Sequence, residues 1–263
     1  MKISAVIIAF NEEAKIADAI RSADWADEVL VVDSGSTDRT REIAEGLGAR
    51  VIVNEWPGFA AQKQFAVDAA ANDIIFSLDA DEAVSDKLKR EIAGLKGGGE
   101  LPFDGMTVPR ASVYMGREIR HGSWYPDRQL RLFDRRKGKW KQVVIHESFE
   151  MEPGASVGKL AGDLIHRSVD SVGQHAAMIA ERYAPLGARS SYERGRRTSP
   201  LGILVAGPAA FIRDYMLKAG CLDGVAGLFI AIFSAYHAVL KHMMLYELQR
   251  GGEMPSDRQP KSL

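Results

Sequence analysis

Cysteine is nearly absent: Cys221 stands alone among 263 residues. That excludes an intrachain disulfide and any cysteine-based zinc cluster, and nothing points to an oxidising compartment. An excess of either charge is missing too. Lys and Arg number 34 against 35 Asp and Glu, a net charge of −1, so a nucleic-acid coat is excluded and any basic function must come from a local patch. No uninterrupted apolar run reaches the roughly 20 residues of a membrane span; the nearest, 224–240, contains Ser234, Tyr236 and His237. The opening run Ile3–Phe10 leads into Asn11-Glu12-Glu13 instead of a small-residue cleavage site, and so reads as a buried strand and not a signal peptide. Neither G-x-G-x-x-G nor G-x-x-x-x-G-K-[ST] occurs, which leaves a dinucleotide fold or a P-loop without support. Internal repeats are also lacking.

What is present is a strand–helix alternation over the first hundred residues. Strands are expected at 3–10, 28–33, 51–54 and 74–78, with helices at 12–23, 38–47, 58–71 and 85–95. Such alternation implies a mostly parallel sheet covered on both faces, with ligands beyond the C-terminal strand ends. The polar clusters fall at those ends: Asn11-Glu12, Asp33-Ser34-Gly35-Ser36 and Asp79-Ala80-Asp81-Glu82. After Gly97-Gly98-Gly99 the pattern turns strand-rich, at 106–115, 130–133, 143–146 and 159–166. It becomes helical over 168–192, with Pro185 as a kink. The basic stretch Arg194–Pro200 acts as a boundary, followed by apolar helical segments at 201–217 and 222–248. The organisation expected is one domain over 1–193, in two halves (1–100 and 101–193), with an amphipathic helical extension over 194–263.

Two motifs carry chemistry on their own. In FSLDADE an apolar strand ends in Asp79 and Asp81, whose carboxylates can converge on one hard cation such as Mg²⁺ or Mn²⁺. In VVDSGSTD a buried strand ends in Asp33, able to accept hydrogen bonds from a base or ribose; the same segment also reads as a strand-to-helix turn capped by Ser36 or Thr37.

Together AVIIAFNEE, VVDSGSTDRT and FSLDADE, in that order and spacing, resemble the family 2 glycosyltransferases, inverting enzymes of GT-A type. The segments HGSWYPDRQLRLF and VVIHESF are similar to a narrower branch, the lipopolysaccharide-core β-glucosyltransferase-like proteins. The resemblance implies a mixed, mostly parallel sheet flanked by helices, a nucleotide-sugar donor and a divalent metal; it makes 1–193 the glycosyltransferase domain, with 1–100 as its nucleotide-sugar half and 101–193 as its acceptor half. Carried onto this chain, it gives Asp33 to the base, Asp79 to the ribose or metal, and Asp81 to the metal bridging the diphosphate. Asn11 and Glu12 line the nucleoside pocket. Lys63 is a donor-binding residue, set against the plainer reading of a solvated helix lysine. A late histidine completes the metal site in several GT-A enzymes, which makes His166 the third ligand. The family's Glu-Asp base motif is not visible; Glu147 takes its place, with Asp127 second and His146 orienting base or substrate.

Between Arg117 and Lys141 nine basic residues oppose three acidic ones, with Trp124, Tyr125 and Trp140 interleaved. This suits a phosphorylated or lipid-linked glycan acceptor, with Trp124, Tyr125, Arg128 and His146 as its contacts, or an anionic membrane. A solvated loop is the plainer alternative, and the donor motifs argue against nucleic acid. The C-terminal helices read as an interfacial hairpin on the cytoplasmic face of the inner membrane, an interface with a second copy, or a core-covering pair. Three functions stay open: transfer of a hexose, with glucose from UDP-glucose as the leading case, to a lipid-linked glycan such as a lipopolysaccharide core; transfer to a polyprenyl phosphate; and nucleotide-sugar binding without turnover.

Overall fold

A computed structural model describes residues 1–141, 148–167, 169 and 171–252. The strands are β1 (Ile3–Ala9), β2 (Glu28–Asp33), β3 (Arg50–Val53), β4 (Ile74–Asp79), β5 (Glu82–Val84), β6 (Gly105–Tyr114), β7 (Arg117–Glu118), β8 (Asp127–Asp134), β9 (Gly138–Trp140), β10 (Phe149–Met151), β11 (Val157–Lys159) and β12 (Leu164–His166). The helices are α1 (Ile16–Ser22), α2 (Thr40–Gly46), α3 (Phe59–Ala69), α4 (Asp86–Gly97), α5 (Val172–Met178), α6 (Ala184–Glu193), α7 (Pro200–Ile212) and α8 (Gly224–Gln249).

Contacts divide the chain into two compact units. The first is Met1–Ala111 with Asp127–His166; the second is Ser112–Pro126 with the chain from Arg167 onward. The division falls earlier than the composition break at Arg194–Pro200: α5 and α6 group with α7 and α8, and an excursion of fifteen residues, 112–126, joins them.

In the first unit the sheet runs β3-β2-β1-β4-β8-β6-β12-β5. Its first four strands are parallel, while β4/β8, β8/β6 and β12/β5 are antiparallel. The mixed sheet flanked by helices is the one expected. Alternation along the strands explains its two covered faces. Ile3, Ala5 and Ile7 of β1 pack with Phe76 and Leu78 of β4 against α1 and α4, whereas Val6, Leu30, Val32 and Ile75 pack against α3. Helix α4 begins where expected, because the Ser85 hydroxyl accepts the Leu88 N–H at 3.3 Å and Leu88 and Ile92 turn inward. The strand expected over 159–166 is two strands with different partners, β11 on β6 and β12 on β5. Gly162 breaks it: a Cβ there would lie 2.3 Å from the Leu88 nitrogen, and the Glu91 carboxylate takes the N–H groups of Ala161 and Gly162.

In the second unit α8 packs against α6 through Ala188, Leu245 and Leu248. It meets α7 at Gly207, where a Cβ would stand 2.8 Å from Val239. Where a kink is expected at Pro185, the chain runs from α5 through a π-helical turn, Ile179–Tyr183, directly into α6, with the proline in the first turn of α6. A separate aromatic core gathers Tyr114, Trp124, His175 and Phe233; the His175 ring lies 4.2 Å from Phe233 and its Nδ1 is 3.2 Å from the Tyr114 hydroxyl.

Burial holds the His175 imidazole neutral, with its pKa depressed from 6.5 to about 4. Between those values the unfolded chain binds the extra proton, so stability rises with pH across the window. This contribution is intact above pH 6.5 and is progressively lost as the pH falls toward 4. We expect the melting temperature to drop over that range, and His175→Gln, which keeps an acceptor for the Tyr114 hydroxyl, to drop less steeply. Parallel wild-type and variant melting curves from about pH 7.5 to about 4.5 would sink the assignment.

Candidate donor site

Strands β2, β1 and β4 lie side by side, with Ala9 opposite Asp33 and Ile8 opposite Asp79. Their C-terminal ends therefore bring the three polar clusters together, at the position where parallel sheets take ligands. Asn11 sits in a left-handed conformation at φ +54; its side-chain oxygen accepts the Thr37 N–H at 2.8 Å and its own N–H reaches the Ser36 hydroxyl at 2.9 Å. The Glu12 N–H donates to the Thr40 hydroxyl at 2.8 Å. These bonds join the β1 end to the loop that follows β2.

Asp33 is fully buried. One carboxylate oxygen accepts the N–H groups of Gly35 and Ser36 at 3.0 and 2.9 Å, and the other takes the Ser36 hydroxyl. Both oxygens are thus engaged within the loop, so the residue shapes the DSGS turn. The plainer reading holds for the turn but not for its cap: neither Ser36 nor Thr37 caps a helix, since α2 begins at Thr40 after Arg39, which makes no side-chain cap bond.

Asp79 is likewise occupied. Lys63 Nζ stands 2.8 Å from Oδ1 and Arg131 Nη2 2.8 Å from Oδ2. Burial opposes its charge, but Arg131 and Lys63 outweigh burial and hold it well below the usual carboxylate range. With a cation on each oxygen, Asp79 does not fit as a metal ligand. Lys63 is buried, lies 5.0 Å from the Trp140 ring centroid, and is no solvated helix residue. Gln64, beside it, accepts the Trp140 N–H at 2.9 Å.

Asp81 is different. The antiparallel pairing of β12 with β5 sets His166 opposite Glu82, one residue beyond Asp81, and His166 Nε2 lies 3.3 Å from Asp81 Oδ2. Burial tends to raise the Asp81 pKa; the His166 hydrogen bond and charge bring it below its ordinary value. Two ligands about 2.1 Å from one ion and at right angles stand about 3 Å apart, so this pair fits a divalent cation. Among the described residues no group of three His, Cys, Asp or Glu is placed to hold a metal. The described residues would then supply two ligands, and substrate oxygens and water would complete the sphere, as is usual for Mg²⁺.

Sequence reasoning gave no site role to Arg131, Arg110 or Glu82, although Glu82 stands in the polar cluster that follows β4. Glu82 is buried, with Arg131 Nη2 at 2.7 Å and Arg110 Nη1 at 3.4 Å from Oε1, while Oε2 accepts the Asp79 N–H at 3.1 Å. Burial works against the Arg131 charge, and Asp79 and Glu82 more than offset it. Arg110 also holds Asp127, the second-choice base, through Nε at 2.9 Å and Nη2 at 2.5 Å, with Gln129 on the other oxygen. Both oxygens of that carboxylate are thus engaged by neighbouring side chains. The first-choice base Glu147, with His146, lies outside the described residues. Arg128 donates to the Leu160 carbonyl at 3.0 Å. In the second unit Trp124 belongs to the aromatic core, and Tyr125 carries Arg120 at 5.4 Å from its ring.

Removing Arg131 should leave the buried Glu82 carboxylate with Arg110 at 3.4 Å and the partly buried Asp79 with Lys63 alone. Arg131→Met is expected to cost about 3–5 kcal/mol, read by urea unfolding, and Arg131→Met with Glu82→Gln should recover part of that loss. A single-variant cost below about 1 kcal/mol would mean that the network contributes no more than a surface pair.

The sequence model of Glycosyl transferase family 2 matches residues 4–149. Over 254 residues, 94% of this chain and 93% of the relative, the sequence is 30% identical to the lipopolysaccharide core biosynthesis glycosyltransferase LpsC of Rhizobium meliloti. It is 32% identical over 125 residues, 46% of this chain and 54% of the relative, to a dolichyl-phosphate hexose transferase of Haloferax volcanii. Among solved structures, glucosyl-3-phosphoglycerate synthase from Mycobacterium tuberculosis, in complex with Mn²⁺, UDP and glucosyl-3-phosphoglycerate, is similar over 44% of each chain at 31% identity and a TM-score of 0.33. A family match over more than half of the chain, and likeness to LpsC along nearly all of it, make the assignment: the chain belongs to glycosyl transferase family 2.

Proposed function

We propose that the protein is an inverting, metal-dependent hexosyltransferase. It takes a nucleotide sugar, with UDP-glucose as the leading donor, and delivers the hexose to a lipid-linked glycan such as a lipopolysaccharide core, at the cytoplasmic face of the inner membrane. The observation that carries the reading is the Asp81–His166 pair at the shared end of β2, β1 and β4, in a chain similar to LpsC along nearly its whole length. Asp81 and His166 would hold Mg²⁺ or Mn²⁺, which when bound neutralises charge developing on the departing diphosphate. Lys63 and Arg131 fix the Asp79 end of the loop that carries Asp81. Asn11, Glu12 and the turn built on Asp33 line the nucleoside side, and Glu147 is the base that removes the acceptor proton.

The second reading, a polyprenyl phosphate as acceptor, draws on the partial likeness to the Haloferax volcanii enzyme and on an exposed apolar face in the second unit. Leu201, Leu204, Val205, Met216, Leu217, Leu222 and Val225 are all more than half exposed. Arg194, Arg196 and Arg197 precede them in sequence, and Arg213 and Lys218 lie among them. Apolar residues with basic flanks suit the headgroup boundary of an anionic bilayer. The segment Gly220–Gln249 is long and apolar enough to cross a membrane by length and composition. Ser234, His237, Lys241 and His242 within it favour a helix that lies on the surface.

Two measurements test this. Nucleotide affinity across a donor panel should require Mn²⁺ or Mg²⁺ and fall at least about tenfold in Asp81→Ala; affinity that survives EDTA, or an unaffected variant, overturns the metal assignment. Leu204→Ser with Leu217→Ser should abolish flotation with anionic liposomes while melting temperature and donor hydrolysis persist. Flotation unchanged in that variant removes this face as the membrane contact.

A further inference from the structure

The segment Arg120–Ser123 of the second unit is held by two buried carboxylates from the chain between α7 and α8. Asp223, with 2% of its side chain exposed, accepts the N–H groups of Arg120 and His121 at 3.1 and 2.9 Å on Oδ2, and faces His121 Nδ1 at 3.0 Å with Oδ1. Asp214, also buried, takes the Ser123 hydroxyl at 2.5 Å and Arg213 Nε at 2.7 Å. Between them the Gly122 N–H reaches the Lys218 carbonyl at 2.9 Å, in a turn that needs φ +79 at Gly122. Lys218 Nζ stands 3.2 Å from the Ser123 hydroxyl oxygen. Burying a carboxylate costs several kcal/mol unless its oxygens are hydrogen-bonded, and here two such groups converge on four consecutive residues, which fixes the backbone and the ring together.

The consequence falls on His121. With Nδ1–H donated to a carboxylate, the lone pair of the neutral ring lies on Nε2. That nitrogen has no protein partner among the described residues, and 37% of the side chain is exposed. His175, in the same unit, is its opposite: buried, clamped between aromatic rings, with its Nδ1 on Tyr114. Near His121 in sequence stands Tyr125 with Arg120 against its ring, and Lys218 bridges to Ser123. A fixed, outward lone pair in polar, aromatic surroundings matches an O–H donor.

We infer that His121 is an acceptor-contact residue, taking at Nε2 a hydrogen bond from a hydroxyl of the glycan acceptor, with Asp223 as its positioning residue. The inference rests on the transfer reading above and adds a contact to it. Of the segment's residues expected to meet the acceptor, Trp124 is engaged in the aromatic core, whereas His121 keeps an unused atom at the surface.

The test uses lipopolysaccharide core oligosaccharide as the acceptor and UDP-glucose as the donor. His121→Asn keeps an N–H for Asp223 and removes the Nε2 position; His121→Gln places an amide near it. His121→Asn should raise the acceptor KM at least about tenfold, with kcat within about threefold and with acceptor-free donor hydrolysis and melting temperature unchanged. His121→Gln should recover part of the loss. An unchanged acceptor KM in a folded His121→Asn overturns the inference. So does a kcat loss at constant KM, which would make His121 a proton acceptor in place of a binding contact. In the wild-type protein labelled with ¹⁵N-histidine, the His121 Nε2 resonance should move on adding the oligosaccharide, and a resonance that stays in place overturns the inference without any variant. Absence of wild-type transfer to this acceptor, with donor hydrolysis present, is a failure of the acceptor reading and is visible before any variant is made.

Discussion

The buried Arg131 guanidinium ties the donor end of the first unit together. It lies between Asp79, at the end of β4, and Glu82, at the start of β5, with Nη2 2.8 Å from the first carboxylate and 2.7 Å from the second. Without it the sharp turn Asp79-Ala80-Asp81-Glu82 would gather three carboxylates with only Lys63, His166 and the more distant Arg110 to oppose them among the described residues in direct contact. Like charges gathered in a partly buried turn repel, so Arg131 favours the closed form of the turn. Because it closes, β5 pairs with β12, and that pairing is what sets His166 beside Asp81. One arginine on a neighbouring strand thus lets a dense acidic loop stay folded and leaves one of its carboxylates to face a ligand.

Much of the first unit was legible because its strands are apolar runs ending in polar clusters, a pattern that local sequence carries in full. The runs at 3–10, 28–33 and 74–78 became β1, β2 and β4 in that layout. Arg131 was not legible for the opposite reason. It sits in RQLRLFDRR, one of nine basic residues counted as a surface patch, and nothing local separates it from Arg128 or Arg135. Its burial follows from the antiparallel pairing of β8 with β4 and β6, a non-local fact. Lys63 was ambiguous in the same way, since a helix position alone does not say whether a lysine meets solvent or a buried aspartate.

The second unit shows a different limit. Composition changes abruptly at Arg194–Pro200, and that change reads as a boundary. The contacts instead follow the core: α6 shares Ala188 with Leu245 and Leu248 of α8, and Tyr114, Ile119 and Trp124 share a cluster with Ala226 and Ile230. A fifteen-residue excursion between two strands of one sheet carries no compositional mark of belonging elsewhere. What it does carry is the pair Gly122 and Trp124, one permitting a left-handed turn and the other supplying a large apolar surface to be covered.

Strand-end carboxylates serve both ligand sites and loop construction, and the sequence cannot separate the two uses. Asp33, Asp79 and Asp81 all end buried strands or the turns that follow them, and all three invited a binding role. In the structure Asp33 holds its own turn, Asp79 holds two cations, and Asp81 meets an imidazole at 3.3 Å. The distinction lies in how many acceptor positions remain once the fold has satisfied its own donors. Asp223 extends the point to the second unit. Its oxygens are engaged by the chain, yet their effect passes through His121 to the surface. A carboxylate fully engaged in the fold can therefore still act at a site, by fixing which atom of its neighbour faces outward.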